Sequence, residues 1–522
     1  MRPPRSVSLP LVPFLALVGL SLAYRVPAIV NAATVDSDAA IVGLQARHIL
    51  AGEHSWFLHG SGYQTSVDSC VAALFFVVLG ATPLALLLST LLGHISATCL
   101  AFATLRRHMP GSAAFVAVLP LVFTGTPLHT YILNPPRQAA LTLVFLAVFV
   151  IAGASARASE RHRLVEVALG AGIASVACFA DPYALLVLPG LLLLAGLTAW
   201  DRSVVGPGAR LARLAAVVVG ALLGIVPFVL LVRSPHAVHG ETTLTLSVLR
   251  HNADLFLDTC FPWLVGATVY VPKALLGYVP WQPGLLVHAV QRLGAGLFVL
   301  LITTGGLAVF APRASVSWPA RRLGAFGFVV AGLTVASFLV SVMVMDLFSS
   351  RYLAALVLMS PFALAPFAAR AGATRLFVVL SFYLVASGLS GWLGYGDEVD
   401  GPRVVTLPGH GSADELALEQ ALAARGVHVA IADYWVSYRL TFLYGEALAV
   451  IPIHAQEARY PPYRRAYAAA TRTAYIFDPK RSRESLTAME AQAFAGAEPW
   501  GVPVERLEAG ALTGIVFDKP SR

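Results

Sequence analysis

The sequence has few charged residues for its length. Only 12% of its 522 residues are Asp, Glu, Lys or Arg, whereas a soluble globular protein carries about 25%. This shortage excludes an ordinary water-exposed surface over most of the chain. Together with 57% hydrophobic residues and a mean hydropathy of +0.74, it indicates a polytopic membrane protein.

Several signatures of other protein classes are also missing. The four cysteines, Cys70, Cys99, Cys178 and Cys260, are scattered without pairs or metal-type spacing. They therefore predict neither a disulfide framework nor a zinc site. The sequence contains no internal repeat and no low-complexity tract.

Apolar runs predict about eleven transmembrane helices in residues 1–393, since a helix needs about 17–25 such residues to cross a bilayer. The run 67–80 is too short to span and is predicted to be interfacial or re-entrant. The predicted spans are 8–30, 82–105, 112–132, 138–156, 164–180, 184–200, 211–232, 291–311, 323–345, 352–369 and 374–393.

The basic residues indicate an orientation in the membrane. With the N-terminus inside, the cytoplasmic segments hold 15 arginines and only three acids, as the positive-inside rule expects. The net charge of +8 therefore needs no nucleic-acid partner. We expect a multi-pass protein of the cytoplasmic (inner) membrane, with the C-terminus outside. Residues 1–33 also resemble a cleavable secretory signal, but Tyr24 and Arg25 are atypical of one.

The composition changes near residue 394. From Asp397 to Arg522 there are 16 acids and 13 bases and no long apolar run, which predicts a separate extracytoplasmic domain, 394–522. Short β-like runs alternate with helical ones, a pattern typical of a small α/β unit with a mainly parallel sheet. Its acidic and aromatic cluster is more readily explained by core packing than by acceptor binding; the cluster comprises Asp433, Tyr434, Trp435 and Tyr438.

The segment after the first span, "NAATVDSDAAIVGLQARHILAGE", is unusually polar. Apolar residues at helical spacing in 39–51 predict a helix that lies on the membrane surface, with Gln45, Arg47 and His48 on its other side. Asp38 falls near the N-cap of this helix. Capping does not explain Asp36, and ionisable residues at a membrane boundary are functional candidates.

This region resembles the GT-C superfamily of polytopic membrane glycosyltransferases, in particular the protein O-mannosyltransferases and the lipid A aminoarabinose transferases. The resemblance is carried by "DSD", the helix, "ILAGE", "HGSGYQTS" and "ALFFVVLG", in that order within residues 34–80. Elsewhere it depends on the topology and on "SSRYLAALVL" and "IADYWVSYRLTF". The whole chain is thus expected to be an α-helical polytopic membrane protein with a small C-terminal α/β domain.

The resemblance implies transfer of a sugar, a hexose or pentose, from a polyprenyl phosphate to an acceptor hydroxyl of a lipid, glycan or protein. No nucleotide-sugar site is needed, which fits the absence of a glycine-rich loop. The resemblance also implies that Asp36 is the catalytic base. Asp38 either orients the acceptor, shares a divalent metal with Asp36 or caps the helix. No cofactor is otherwise expected.

The departing lipid phosphate needs positive charge. Arg351, at the outer end of span 352–369, is the leading candidate because a guanidinium binds phosphate oxygens in a fork; its alternative role is anchoring at the interface. Arg137 and Lys273 are weaker candidates for the same role.

Other polar residues near the first loop are candidates for lining the cavity that binds the acceptor. His54, His59 and Tyr63 follow the predicted surface helix, and each has an alternative role as an interfacial or loop residue. Asp68 is expected to be a helix cap. Asp181 has the same structural explanation, and facing the cavity is its alternative role.

Three other functions fit the sequence less well. A transporter or lipid flippase places charges near the bilayer midplane, whereas the spans here are nearly free of them. An O-antigen polymerase or ligase typically relies on arginines of a large outer loop, and 233–290 holds only Arg233, Arg250 and Lys273 as bases. A purely structural scaffold leaves the Asp36 segment without a purpose.

Overall fold

The structure is a computed structural model. It describes residues 11–135, 137–154, 159–201, 206–234, 244–310, 316–393, 412–495 and 501–519. The start of the first predicted span and the predicted domain boundary at residue 394 lie outside these ranges.

Helices dominate the described part of residues 11–393, and six of them are long and apolar enough to cross a membrane. A break of 85° separates two further helices, which count as a seventh span if taken together. The break falls where Pro127 occupies the first turn of the second helix, since proline cannot donate the backbone bond that would continue a helix. The six long helices are Pro83–Arg106, Glu160–Ala180, Pro207–Val232, Leu285–Leu307, Trp318–Val340 and Ala365–Leu393, and the bent pair is Gly111–Val122 with Thr126–Leu133.

The remaining four predicted spans coincide with apolar helices of 10–17 residues: Leu11–Tyr24, Gln138–Ala154, Leu188–Ala199 and Leu347–Ala363. All eleven predicted spans therefore fall on apolar helices, although only six or seven reach spanning length. The last two predicted spans meet at Gly372, whose φ of 77° kinks the chain without steric cost.

Short elements connect the long helices. In the described part of the chain they include the helices Val26–Val30, Leu246–Leu255 and Phe261–Leu264, the 3₁₀ helices Ala32–Thr34 and Pro182–Leu186, the π-helix Phe256–Cys260, and the hairpin of Tyr270–Lys273 with Gly277–Pro280.

The polar segment after the first span forms the helix Ser37–Leu50, which we call the loop helix, and the helix Val67–Leu79 follows it. The predicted location of the loop helix on the membrane surface is wrong for most of its length. Both of its sides are covered by protein: Ile41 and Leu44 are buried, and so is Gln45, which bonds to Phe57 and Ser69.

The C-terminal domain, residues 412–519, contains a five-stranded sheet with helices around it. Two strand pairs are parallel and two are antiparallel, so the prediction of a mainly parallel sheet is wrong. In spatial order the strands are Ala449–Pro452, Val429–Ala432, Arg472–Phe477, Leu512–Asp518 and Val502–Ala509. The helices are Ser412–Ala423, Tyr434–Leu443, Pro461–Ala469 and Leu486–Ala495, with a 3₁₀ turn at Ala455–Glu457.

The sheet is mixed because its last two strands are joined by only two residues, Gly510 and Ala511. Such a short connection can only produce an antiparallel hairpin. Gly510 has a φ of 59°, a conformation that glycine adopts at no steric cost.

The C-terminal domain packs against the loop helix through the helix Tyr434–Leu443, which we call the docking helix. One core joins loop-helix residues such as Ile41 and Leu44 with Tyr438 and Phe442 of the docking helix. Gly43 allows this approach, because a Cβ there would lie 2.7 Å from the Phe442 ring.

An ion pair buried in the same interface links Arg439 to Glu415. Their side chains are 0% and 3% exposed, and Arg439 Nη2 also donates to the Ala33 carbonyl at 2.8 Å. Arg439 therefore connects the C-terminal domain directly to the segment that precedes Asp36.

Arg439→Met should strongly destabilise the protein, because it leaves the Glu415 carboxylate buried without a counter-charge. Breaking one side of a buried pair costs about 3–5 kcal/mol. The thermal unfolding midpoint of the purified full chain measures the effect. Arg472→Met is the matched control, since it removes an exposed pair with Asp518. An equal midpoint shift in both variants would contradict a dominant role for the buried pair.

Candidate active site

Asp36 lies between the 3₁₀ turn Ala32–Thr34 and the loop helix, and it is the N-cap of that helix. Its Oδ1 accepts the backbone N–H of Ala39 at 2.8 Å. Its Oδ2 accepts a short hydrogen bond from the side-chain amide of Asn134. The prediction that Asp38 is the cap, and that capping does not explain Asp36, is therefore wrong by two positions.

The half-buried Asp36 carboxyl has an unusual acidity. Burial, together with the nearby charge of Asp38, raises its pKa from 3.8 to about 6, even though Ala39, Asn134 and Arg351 favour the charged form. A carboxylate with a pKa near neutrality accepts a proton more readily than an ordinary one and is still mostly ionised at pH 7.

Asp38 occupies the first turn of the loop helix and contacts the C-terminal domain. Its Oδ1 accepts a hydrogen bond of 2.5 Å from the Tyr434 hydroxyl. The guanidinium of Arg459 lies 5.7 Å from the Tyr434 ring and donates to the Gly60 carbonyl at 2.9 Å. Asp38 thus lies where the first loop and the C-terminal domain meet.

A cavity of about 250 Å³ opens beside Asp36. Asp36 and Asn134 line one part of it, and most of the remaining wall is apolar; the apolar residues include Pro83, Leu86, Leu87 and Leu133. A cavity with one polar end and mostly apolar walls can accommodate a ligand that has a polar head group and an apolar chain.

Arg351 lies on a 3₁₀ helix, Leu347–Leu353, close enough to stabilise the Asp36 carboxylate. One of its Nη atoms donates to the Tyr352 hydroxyl at 3.3 Å. Its Nε is buried and has no hydrogen-bond partner in the described part of the chain. A buried donor left unsatisfied costs about 1–3 kcal/mol, and in binding sites such a group is commonly satisfied by the ligand.

Arg137 belongs to the same polar region. Its Nε lies 3.6 Å from Asp181 Oδ2, and its guanidinium is 5.6 Å from the Tyr131 ring. Its φ of 97° is rare for a residue with a side chain, and backbone strain of this kind clusters at functional sites.

Asp68 holds that strained backbone in place. Its two oxygens accept the N–H groups of Arg137 and Ala139 at 2.7 and 3.0 Å. Asp68 therefore binds the start of the helix Gln138–Ala154 from a neighbouring helix, rather than capping its own. Asp181 caps the 3₁₀ turn Pro182–Leu186 through the Tyr183 N–H at 2.7 Å, and it also receives a bond from Gln64 at 3.2 Å.

The predicted cavity residues separate into two groups. Tyr63 lies within electrostatic range of Arg137, Arg459, Asp181 and Asp38, so it belongs to the polar region around the aspartates. His59 instead contacts His48, Nε2 to Nδ1, at 3.0 Å near the far end of the loop helix.

Two more predicted residues lie apart from Asp36. His54 is exposed on the loop after the loop helix, and Lys273 is exposed on the hairpin. Neither lines the cavity beside Asp36, and no contact in the described ranges links either side chain to that aspartate. The structure therefore offers no support for Lys273 as a phosphate ligand.

Sequence patterns point to neither Asn134 nor Arg459, although Asn134 contacts Asp36 and Arg459 lies within electrostatic range of Asp38. Asn134 was visible in "LNPPR", directly before the candidate Arg137. Tyr434 lies 396 positions from Asp38, and no local pattern pairs residues so far apart. Tyr434, which the sequence indicates only as a member of the acidic and aromatic cluster, does reach the site through Asp38. Asp433 instead caps the docking helix and pairs with Arg483 at 2.8 Å.

Comparison with known proteins identifies the fold. No protein-family model and no curated protein matches the chain. The crystal structure of ArnT from Cupriavidus metallidurans bound to undecaprenyl phosphate matches it with a TM-score of 0.52 and 14% identity, over 96% of this chain and 97% of ArnT. The crystal structure of the Archaeoglobus fulgidus oligosaccharyltransferase tethered to an acceptor peptide matches with a TM-score of 0.45 and 12% identity. This match covers 90% of this chain and 69% of the oligosaccharyltransferase.

The first of these matches establishes the fold. The chain has the fold of a GT-C membrane protein, as the resemblance of its first loop predicted. More particularly, it has the architecture of ArnT along almost the whole length of both chains.

The raised pKa of Asp36 gives a direct test of the site. We expect its carboxyl to lose its proton as the pH rises through about 6. Asp38→Asn should lower this pKa by removing a like charge, and Arg351→Gln should raise it by removing an opposite one. The protonated carboxyl band in difference infrared spectra measures it, with Asp36→Asn as the assignment control. A pKa near 4 for Asp36 would contradict the described burial.

Proposed function

We propose that this protein is a membrane glycosyltransferase that moves a hexosyl or pentosyl group from a polyprenyl phosphate to an acceptor hydroxyl. The observation that carries the proposal is the half-buried Asp36 carboxylate, with its raised pKa, which lines an apolar-walled cavity and lies within electrostatic range of Arg351. The fold shared with ArnT, which was crystallised with undecaprenyl phosphate, supports a polyprenyl phosphate as the donor lipid.

In the proposed reaction Asp36 removes the proton from the acceptor hydroxyl. The hydroxyl oxygen then bonds to the anomeric carbon of the sugar, and the bond from that carbon to the phosphate oxygen breaks. The polyprenyl phosphate leaves with the bonding electrons. Asp36 suits this role because its two oxygens are fixed by Ala39 and Asn134, so little reorganisation is needed during proton transfer.

Arg351 and Arg137 are proposed to bind the departing phosphate. The buried Nε of Arg351 offers a donor that the described residues leave unused. Tyr352 links the two arginines, because its hydroxyl accepts from Arg351 and it also lies within electrostatic range of Arg137. A phosphate bound there would bring the attached sugar near Asp36, because Arg351 lies within electrostatic range of that carboxylate.

Asp38, Tyr434, Arg459 and Tyr63 are proposed to orient the acceptor. These four residues lie where the C-terminal domain meets the first loop. An acceptor that carries a hydroxyl group would therefore approach Asp36 between the domain and the loop. The arginine asymmetry of the sequence supports an extracytoplasmic location for this surface and for the C-terminal domain, in the cytoplasmic membrane with the N-terminus inside. The acceptor class is a lipid, glycan or protein.

Asp36→Asn should reduce transfer about 10²–10⁴-fold, the usual contribution of a general base. Purified full-length protein is incubated with a panel of radiolabelled polyprenyl-phosphate sugars and membrane acceptors, and transferred label is counted. Asp254→Asn is the control, since Asp254 is exposed on the helix Leu246–Leu255 and no contact among the described residues connects it to the site. Asp68→Asn would not serve as a control, because the Asp68 side chain binds the backbone N–H of Arg137.

Undiminished transfer by Asp36→Asn would exclude this residue as the base. Movement of the labelled lipid across reconstituted vesicles, without formation of any new glycosidic bond, would instead favour the flippase alternative. Formation of a polymer of repeating units would favour the O-antigen polymerase alternative.

Arg351→Lys should lower the rate of transfer nearly as much as Arg351→Gln, about 10²–10³-fold, because lysine keeps the charge but loses the forked donor geometry. The measurement is kcat and KM for the lipid donor that the panel identifies. Arg233→Lys, at the end of the helix Pro207–Val232, is the control. Full activity in Arg351→Lys would mean that charge alone is required there.

A further inference from the structure

A second group of polar side chains lies at the opposite end of the loop helix from Asp36. His48 is near the C-terminus of this helix, and Glu53 and His59 follow in the next loop. One side-chain donor atom from each of these three residues lies within 4.8 Å of the other two. Along the helix axis, His48 is about 18 Å from Asp36, at 1.5 Å per residue, so this group is separate from the proposed transfer site.

We propose that His48, His59 and Glu53 form a binding site for a divalent transition-metal ion of the Zn²⁺ class. Two imidazole nitrogens and one carboxylate oxygen are a typical zinc donor set, with water completing the tetrahedron. His48 Nδ1 and His59 Nε2 are 3.0 Å apart. Two nitrogens at about 2.0–2.1 Å from a tetrahedral zinc are separated by about 3.3 Å, so the histidines need only a small adjustment.

The surroundings orient these donors as metal ligands are usually oriented. His48 presents its second ring nitrogen, Nε2, to Glu446 Oε1 at 2.9 Å, an arrangement that fixes the imidazole tautomer in metal sites. Glu446 is held in turn by a short hydrogen bond from the Tyr463 hydroxyl. Glu53 Oε2 accepts from the Tyr460 hydroxyl at 2.8 Å.

The packing around the donors is also specific. The Tyr460 ring packs against both histidines, with centroid distances of 4.6 Å to His48 and 4.7 Å to His59. Glu446 adopts a φ of 68°, a conformation that a residue with a side chain adopts at a cost. This backbone position presents its carboxylate to His48.

The proposed ion would join three parts of the chain. The ligands come from the loop helix and the loop after it, whereas the residues that orient them, Glu446, Tyr460 and Tyr463, belong to the C-terminal domain. That loop already approaches this domain closely at Gly60, where an added Cβ would lie 2.4 Å from the Cα of Arg459. The metal would therefore fix the docked position of the loop that carries Tyr63.

The test uses full-length protein purified in detergent without a histidine tag. After dialysis against a chelator, the protein is titrated with ZnCl₂ against a chromogenic competitor, and bound metal is measured by mass spectrometry. We expect about one ion per chain and a higher thermal unfolding midpoint when metal is bound. Co²⁺ in place of Zn²⁺ should give the visible absorption of a tetrahedral site.

His59→Ala and Glu53→Gln should each abolish stoichiometric binding, whereas His54→Ala, a histidine of the same loop outside the group, should retain it. Glu446→Gln should weaken affinity about 10–100-fold, as expected for loss of a group that orients a ligand. An unfolding midpoint of metal-free His59→Ala equal to that of the metal-free parent shows that the variant is folded.

Failure of the parent protein to bind Zn²⁺ or Co²⁺ stoichiometrically would overturn the proposal. So would binding that survives both His59→Ala and Glu53→Gln, or equal loss of binding in His54→Ala. These outcomes are independent of sugar transfer, since none of the ligands is part of the proposed transfer site.

Discussion

The fixation of the Asp36 carboxylate is the interaction on which the site depends. One oxygen is bound by the N-terminus of the loop helix, through Ala39, and the other by Asn134 at the end of the helix Thr126–Leu133. A carboxylate placed where burial opposes its charge is stable only when such donors compensate. Burial outweighs the effect of these donors and raises the pKa of Asp36 to about 6. The donors hold the carboxylate beside the cavity. Its function as a helix cap and its proposed function as a base are thus two results of one geometry.

The C-terminal domain contributes directly to that geometry. Tyr434 donates to Asp38, and Arg439 donates to the carbonyl of Ala33, three residues before Asp36. Arg459 adds a cation within electrostatic range of Asp38. The candidate site is therefore built from both parts of the chain, with its apolar wall from the helices and part of its polar rim from the domain.

Local patterns in the sequence were sufficient to locate most of the elements. All eleven apolar runs fall on helices, and the alternation of β-like and helical runs in the C-terminal domain matches its strands and helices, because both kinds of pattern depend on neighbouring residues. The loop helix shows what such patterns do not determine. Ile41 and Leu44 need the same helical spacing whether they are buried against lipid or against protein. Which parts of the chain meet is set by tertiary packing, and the pair of Asp38 with Tyr434 has no local signal.

The shared core around Gly43 and Phe442 has a consequence for how the molecule can be handled. The sharp change of composition near residue 394 suggests a place to cut the chain, yet Phe442 and Tyr438 would then lose the apolar surface that covers them. A fragment that ends or starts there would expose this apolar surface and self-associate in solution. Truncations and domain fusions of this protein must therefore preserve the contact between the loop helix and the docking helix.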